Sequence, residues 1–296
     1  MKPISHVYRN RIMEMVGKAH LQLVVTEHNV YQIANKELLP YIDGILDDLV
    51  LPESGIDGFE HLEELLQKAK EGASCLLLVE HYSNFDLPVI SYLLRKNSER
   101  GAEIADAIVA IAGLKLNESN PIVTAFTEAY TRIVIYPSRS LAGLDPEKDR
   151  EEIARSNAIN RAAMKTLNKV KKEGKLILVF PAGTRYRPWD PESKRGVREI
   201  DSYIKSFDYF CPIAINGNVL RIQPGDMAED LVCQDVVKIT AGPVIRCHDF
   251  RQQAQHKAEM VHGADKKQAT VDAIMDMLEQ MHQEAEKTRP RREDQI

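Results

Sequence analysis

The chain has 296 residues, of which 39 are lysine or arginine and 44 are aspartate or glutamate, so its formal net charge is −5 at pH 7. This acidic balance excludes a general nucleic-acid-coating protein. Hydrophobic residues make up 44% of the chain and charged residues 28%, which excludes global disorder. The length predicts either one large domain or one large domain with a second, small domain.

The first 55 residues carry a helical pattern. Apolar residues recur at spacings of three and four from about His6 to Leu51, without the alternation that is typical of a strand. The pattern ends in the connector Leu51-Pro52-Glu53-Ser54-Gly55, in which proline and glycine break the periodicity. We therefore predict a small N-terminal helical bundle over residues 1–55, followed by a second domain over residues 56–296.

From Gly58 onward, short apolar runs alternate with helical spacing. Runs that are apolar at every position are typical of buried parallel strands, and their alternation with helices predicts an α/β fold. We expect a mixed, largely parallel sheet with helices on both faces. The predicted strands are Cys75–Val79, Ala107–Ala112, Ile133–Tyr136, Leu176–Phe180, Phe210–Ile215 and Val236–Ala241. The predicted helices are Phe59–Glu71, Leu87–Arg95, Glu151–Lys172 and Lys266–Glu286, and residues Lys287–Ile296 are expected to fray.

Cysteine usage and hydropathy bear on the compartment. The four cysteines form no C-x-x-C pair, which favours reduced thiols. The N-terminus lacks the apolar core of a secretory signal, and the longest apolar runs fall well short of the ~20 residues that span a bilayer. We expect a cytoplasmic protein, or one of the plastid stroma if the chain is a mature organellar form, with at most peripheral membrane contact.

A histidine and an aspartate follow the strand Cys75–Val79. His81 and Asp86 lie five positions apart, on the turn that leads into the next helix. Such a turn can fold back so that the carboxylate accepts a hydrogen bond from one imidazole nitrogen, which leaves the other nitrogen as a proton acceptor. This arrangement suits removal of a proton from an alcohol as it attacks a carbonyl carbon. The alternative is structural, because Asp86 precedes Leu87-Pro88 and can serve as a helix N-cap.

An arginine-rich turn follows the strand Leu176–Phe180. It reads Pro181-Ala182-Gly183-Thr184-Arg185-Tyr186-Arg187-Pro188, in which glycine permits close backbone approach to a ligand and guanidinium groups match phosphate oxygens. Arg139 follows another predicted strand in the same way. Residues 161–205 hold 12 lysines and arginines against 5 acidic residues, so the local field favours an acidic partner, although the lysines can equally form one solvated helix face. These arginines predict a phosphate site.

Taken in order along the chain, these segments resemble the glycerolipid acyltransferases, whose signatures are N-H-x-x-x-x-D and F-P-E-G-T-R. The matching segments are His81…Asp86 and, about 100 residues later, Phe180-Pro181-Ala182-Gly183-Thr184-Arg185, with a third block at Tyr209-Phe210-Cys211-Pro212-Ile213-Ala214. Within that family the chain is most similar to the soluble plastid-type glycerol-3-phosphate acyltransferases. That likeness rests on Ala112-Gly113-Leu114-Lys115, Ile135-Tyr136-Pro137-Ser138-Arg139 and Gly183-Thr184-Arg185-Tyr186-Arg187-Pro188. The resemblance covers roughly residues 58–225.

The resemblance implies a reaction and a set of site residues. His81 would be the general base and Asp86 would orient it, for transfer of an acyl group from an acyl carrier protein or coenzyme A thioester to the sn-1 hydroxyl of glycerol 3-phosphate. No cofactor, metal or nucleic acid is implied. The residues expected to bind the phosphate are Arg139, Ser140, Gly183, Thr184, Arg185 and Arg187. The candidates for an acyl-chain groove, each of which can equally be core packing, are Phe85, Leu87, Ile90 and Leu114.

Two departures from the family pattern keep other hypotheses open. Glu80 stands where most members carry asparagine, and Ala182 stands where membrane-bound members carry glutamate. One alternative is an acyltransferase that uses lysophosphatidate or another lipid alcohol as acceptor. The other is a catalytically silent homologue that binds a lipid or a phosphate without turnover.

Overall fold

Strands and helices alternate along most of the chain in the computed structural model, which describes residues 1–118, 120–141, 143–225, 227–260 and 263–290. The strands are β1 (Lys2–Pro3), β2 (Tyr31–Gln32), β3 (Gly55–Asp57), β4 (Cys75–Val79), β5 (Ile108–Gly113), β6 (Arg132–Ile135), β7 (Leu176–Val179), β8 (Tyr209–Asn216), β9 (Leu220–Arg221), β10 (Leu231–Val232), β11 (Lys238–Ala241) and β12 (Ile245–Arg246). The helices are α1 (Ile4–Val7), α2 (Arg9–Lys18), α3 (Leu39–Leu49), α4 (Phe59–Lys70), α5 (Asp86–Asn97), α6 (Glu99–Ala107), α7 (Lys115–Glu118), α8 (Pro121–Glu128), α9 (Ser138–Leu141), α10 (Arg150–Val170), α11 (Ile200–Ser206), α12 (Cys247–Glu259) and α13 (Lys266–Thr288). Short 3₁₀ helices cover Lys36–Leu38, Pro191–Lys194 and Met227–Glu229.

The main sheet has the strand order β2-β6-β5-β7-β4-β8-β11-β3, with β12 beside β8. The five strands from β6 to β8 are parallel, β2 runs antiparallel to β6, and β11 runs antiparallel to β8 and parallel to β3. In this register Leu77 of β4 lies between Leu178 of β7 and Cys211 of β8. The predicted mixed, largely parallel sheet is confirmed. Because the central strands are parallel, their carboxyl ends share one edge, where loops from neighbouring strands can form a common site.

Alternate residues of β4 point into two separate hydrophobic clusters. Cys75, Leu77 and Val79 pack with helices α3 to α6, and Leu76 and Leu78 pack with helices α10 to α13. All five side chains are at most 2% exposed. A strand buried on both faces is apolar at every position, and each leucine removed from water contributes roughly 1.5–3 kcal/mol of stability. The helices therefore cover both faces of the sheet, as the sequence predicts.

The N-terminal segment is less uniform than predicted. Helices α2 and α3 cover the two ends of the predicted helical stretch, but residues 19–30 lie outside any helix, and Tyr31 and Gln32 form the edge strand β2, which pairs antiparallel with β6. The prediction of a helical pattern is therefore wrong over residues 19–32, where an irregular segment leads to a short extended one that completes the sheet edge. The division at residue 55 stays a prediction, and the structure places Ile42 of α3 in the same hydrophobic cluster as Leu77 of the sheet.

The C-terminal segment is more ordered than the prediction of a frayed end. Helix α13 continues to Thr288, and the largely buried Arg289 pairs with Asp235 at 2.9 Å and with Glu286 at 3.0 Å. The expectation of a frayed end is therefore wrong for residues 287–289, and residues 291–296 lie outside the described part of the chain. Within the described residues no helix combines the length and hydropathy needed to cross a bilayer.

Candidate active site

The turn between β4 and α5 brings His81 and Asp86 together. The imidazole Nδ1 of His81 lies 2.8 Å from Oδ2 of Asp86, and the two side chains are 17% and 4% exposed. The Asp86 carboxylate is surrounded by N–H and O–H donors, so it acts as the acceptor and Nδ1 carries the proton. The other ring nitrogen, Nε2, is then left as an acceptor for a proton.

The Asp86 carboxylate fixes the turn itself. Its Oδ2 accepts the backbone N–H of Tyr82 at 2.7 Å and of Ser83 at 3.0 Å, and its Oδ1 accepts the Ser83 hydroxyl at 3.1 Å. These donors precede the helix. The N-cap of α5 is Phe85, which makes no side-chain capping bond, and Asp86 is the first helical residue. The N-cap interpretation of Asp86 is therefore wrong, and the carboxylate instead holds the His81 loop against the helix.

The loop after β7 contacts this turn through Phe180 and Tyr186. The ring of Phe180 stacks on the His81 imidazole, with centroids 3.9 Å apart and planes 15° from parallel. The backbone N–H of Tyr186 donates to the carbonyl oxygen of His81 at 2.7 Å. Strands β4 and β7 are parallel neighbours, so their carboxyl ends deliver these two loops to the same place.

The two arginines of that loop have different surroundings. Arg185 is ion-paired with the fully buried carboxylate of Asp230. Arg187 is 40% exposed, donates to Thr184 Oγ1 at 3.2 Å and lies 3.6 Å from Asp190. Gly183 has φ +64°, a conformation that favours glycine. Arg187 therefore retains more capacity to bind an external anion than Arg185, whose charge is already compensated.

Arg139 and Ser140 lie on α9, after strand β6. Strands β5 and β7 separate β6 from β4, and at 4.8 Å per strand this places the ends of β6 and β4 about 14 Å apart. The Arg139 side chain is exposed to solvent. The strand order therefore sets Arg139 and Ser140 three strands away from the His81 turn, and their role in binding phosphate stays a prediction.

The four candidates for an acyl groove do not line one common surface. Phe85 and Ile90 are buried in the hydrophobic cluster on the α5 side of the sheet, whereas Leu114 is buried in the cluster on the opposite side. Leu87 is half-buried and, with Ser91 and other residues, lines a cavity of about 40 Å³. That cavity is far too small for a fatty acyl chain, so the groove stays a prediction.

A partly buried polar cluster that the sequence analysis did not identify lies behind the His81 turn. Glu80 Oε1 accepts the Tyr82 hydroxyl at 3.0 Å, and Glu80 Oε2 accepts the backbone N–H of Ile215 at 2.8 Å and His282 Nδ1 at 2.9 Å. Burial and the negative charge of Glu80 raise the pKa of the Tyr82 hydroxyl. Burial lowers the pKa of His282, but the hydrogen bond to Glu80 and its charge outweigh burial, so the net shift is upward from 6.5. The only local signal of this cluster is the position of Glu80, next to His81.

Comparison with known proteins gives one result that bears on this geometry. A family model described as Acyltransferase matches residues 60–216. The matched segment includes the His81–Asp86 turn and the loop with Arg185 and Arg187, and it ends with strand β8. No curated protein shows a significant match to the chain.

Proposed function

The chain belongs to the acyltransferase family, and we propose that it transfers a fatty acyl group from an acyl thioester to the sn-1 hydroxyl of glycerol 3-phosphate, as the first step of phospholipid synthesis. One observation carries this proposal: the Tyr186 N–H donates to the His81 carbonyl oxygen at 2.7 Å. Tyr186 lies between Arg185 and Arg187, so this hydrogen bond joins an anion-binding loop to the proposed base. A small phosphorylated alcohol bound by that loop would present its hydroxyl close to His81.

His81 acts as general base in this mechanism. Its Nε2 takes the proton of the acceptor hydroxyl while the oxygen attacks the thioester carbonyl carbon. The tetrahedral intermediate then collapses as the carbon–sulfur bond breaks. The departing sulfur takes the proton back from the imidazolium, so the products are an ester and a thiol, and His81 is returned to its starting state. Proton transfer of this kind contributes roughly 10²–10⁴ in rate.

Asp86 has two roles in this step. Its hydrogen bond from Nδ1, at 2.8 Å, selects the tautomer in which Nε2 is the acceptor. Its negative charge also stabilises the imidazolium that forms when the substrate proton arrives. The Phe180 ring, stacked on the imidazole, keeps the His81 ring in one plane. Base, orienting carboxylate and stacked ring are therefore preorganised before substrate binds.

The arginine loop supplies acceptor binding. Arg187 would hold the phosphate through its exposed guanidinium, and Gly183 lets the backbone come close to the phosphate oxygens. Holding the phosphate positions the hydroxyl, which converts a bimolecular attack into an effectively intramolecular one. The donor is a thioester of acyl carrier protein or of coenzyme A. Both carry negative charge, so the basic stretch at residues 161–205 suits either donor.

The experiment that tests the proposal measures thiol release from palmitoyl-coenzyme A and from palmitoyl-acyl carrier protein. We expect release that depends on glycerol 3-phosphate and yields 1-acylglycerol 3-phosphate. The His81→Ala variant is the matched control for background hydrolysis. Thiol release with lysophosphatidate but not with glycerol 3-phosphate would show that the acceptor is lysophosphatidate. Binding of glycerol 3-phosphate without any thiol release would show that the protein is a catalytically silent homologue.

A further inference from the structure

We propose that Glu80 and His282 form a positioning pair through which the C-terminal helix α13 holds the His81–Asp86 turn in its working geometry. The inference rests on the proposed function, because it assigns the pair a role in the same reaction. Neither side chain is placed in contact with the reacting atoms. His282 also lies outside residues 60–216, so the pair adds to the site a segment beyond the one that the family model matches.

Glu80 makes its contacts from the carboxyl end of β4. Its backbone N–H donates to the carbonyl oxygen of Ile213, and this hydrogen bond extends the β4–β8 ladder by one residue. Its side-chain carboxylate accepts a hydrogen bond from the backbone N–H of Ile215. Glu80 is only 5% exposed. A buried carboxylate needs donors for both oxygens, and here a backbone amide, Tyr82 and His282 supply them. The His282 imidazole is thus a structural partner of a charge that would otherwise be costly to bury.

Tyr82 transmits this arrangement to the proposed base. Its hydroxyl donates to Glu80 Oε1 at 3.0 Å, and its backbone N–H donates to Asp86 Oδ2 at 2.7 Å. Asp86 Oδ2 is the same oxygen that accepts Nδ1 of His81. One residue therefore connects the Glu80–His282 pair to the carboxylate that orients His81. A shift of Tyr82 would move a hydrogen-bond donor of that carboxylate.

Helix α13 is itself held firmly at this end of the sheet. The carbonyl oxygen of His282 accepts from Asn216 Nδ2 at 3.0 Å, about two turns before Arg289, which forms ion pairs with Asp235 and Glu286. Earlier in the helix, Ile274 and Leu278 are at most 1% exposed and pack under the sheet. His282 thus occupies a fixed position relative to β4 and β8. A rigid support of this kind is what a site needs to hold its groups within a fraction of an ångström.

The charged and titratable groups around His282 come from β4, the turn after it, helix α13 and the 3₁₀ helix Pro191–Lys194. Glu80 lies at the end of β4, Tyr82 lies on the turn, with its hydroxyl 3.3 Å from His282 Nδ1, and Glu279 lies one turn earlier on α13, where Lys194 is its ion-pair partner. Glu80 and Glu279 favour the protonated imidazole, Lys194 and burial oppose it, and the balance raises the pKa of His282. Loss of the His282 proton with rising pH therefore weakens the pair.

The first test compares three His282 variants of the full-length enzyme in steady-state kinetics with glycerol 3-phosphate. We expect His282→Ala to lower kcat about 10- to 100-fold, because small displacements of a base have effects of this size, with little change in KM for the acceptor. His282→Asn retains a donor near the position of Nδ1 and should recover part of kcat. His256→Ala is the matched control, because His256 is an exposed histidine paired with Glu259 at 3.5 Å on α12. Equal kcat for His282→Ala and wild type would overturn the proposal.

The pH profile separates positioning from general support of the fold. The wild-type kcat should decline at alkaline pH as His282 loses its proton, and His282→Asn should lack this decline. Glu80→Gln should shift the decline to lower pH, because the negative charge that raises the pKa of His282 is then absent. An alkaline decline that persists unchanged in both variants would contradict the proposal.

A second measurement does not depend on turnover. The imidazole ¹⁵N resonances of His81 report which ring nitrogen carries the proton, and we expect His282→Ala to change the Nδ1-protonated population that wild type shows. Tyr82→Phe, which removes only one hydroxyl, should produce the same change and replaces His282→Ala if that variant fails to fold. If wild type showed no thioester transfer, the proposed function would be wrong. The ¹⁵N resonances of His81 would still decide whether the Glu80–His282 pair positions the imidazole. Unchanged resonances in a folded Tyr82→Phe variant would rule out the transmission through Tyr82.

Discussion

The substitution Asp86→Asn is the sharpest test of the role of the carboxylate. At the Oδ2 position three donors converge: His81 Nδ1, the Tyr82 N–H and the Ser83 N–H, at 2.8, 2.7 and 3.0 Å. The asparagine amide oxygen will therefore occupy that position, and its NH₂ group will face the Ser83 hydroxyl, which can accept instead of donating. The Ser83 backbone N–H, which donates to both oxygens of Asp86, will then donate to the amide oxygen alone. The variant thus keeps the turn and the His81 tautomer but removes the negative charge.

The expected magnitudes differ for activity and stability. At about 4 Å between charge centres and an effective dielectric constant of about 20, the lost attraction to the imidazolium is roughly 4 kcal/mol. At 1.36 kcal/mol per tenfold, this predicts a fall in kcat of roughly 10³. Weakened hydrogen bonds to a formerly charged group cost about 1.5–3 kcal/mol of folding free energy, a fall in Tm of a few to about 10 °C. The loss of activity should therefore exceed what partial unfolding explains.

The assay is thiol release at saturating glycerol 3-phosphate, measured at least about 15 °C below the Tm of each variant. This margin is roughly one and a half times the expected fall in Tm. Ser83→Ala is the matched control, because it removes a hydroxyl that donates to Asp86 Oδ1 and leaves the charge in place. We expect its kcat to stay within about tenfold of wild type. A folded Asp86→Asn protein with a kcat close to that of Ser83→Ala would refute the argument that the Asp86 charge stabilises the imidazolium.

The remaining predictions concern the base, the two arginines and the C-terminal helix. His81→Ala should abolish thiol release while calorimetry still detects glycerol 3-phosphate binding, and retained turnover would exclude His81 as the base. Arg187→Ala should chiefly raise KM for the acceptor, by about 10- to 100-fold if a charged hydrogen bond of 1.5–3 kcal/mol is lost, and a change confined to KM for the donor would assign the arginine to the donor site. Arg185→Ala should instead lower the free energy of unfolding by about 1.5–3 kcal/mol, because it removes an ion-pair partner of the buried Asp230, and urea denaturation that shows no loss would contradict this. His282 has a folded-state pKa above its unfolded value near 6.5, so its stabilising contribution is complete below pH ~6.5 and is lost as pH rises through the folded value. Tm measured across this range should fall more for wild type than for His282→Asn.

The central sheet and the His81 turn could be predicted from the sequence because their signals are local. A strand such as Cys75–Val79 is buried on both faces, so every residue in it is apolar. The His81–Asp86 hydrogen bond spans only five residues, which limits the turns that can close it. The edge strand β2 was missed because two residues at a sheet edge leave no periodic pattern to detect.

The parts of the site that could not be predicted depend on partners far away in the sequence. Arg185 looked like a phosphate ligand because its own loop gives no sign of Asp230, which lies 45 residues further along and compensates its charge. Glu80 could be identified from the sequence only as a departure from the family pattern. Its partner, His282, could not be identified, because it is 202 residues away on helix α13. The position of a residue directly after a parallel strand indicates that it lies at the edge of the sheet. Whether its charge can bind a ligand there depends on whether it already forms an ion pair within the protein. By that criterion Arg187, half-exposed and only loosely paired, is the residue on which acceptor binding should chiefly depend.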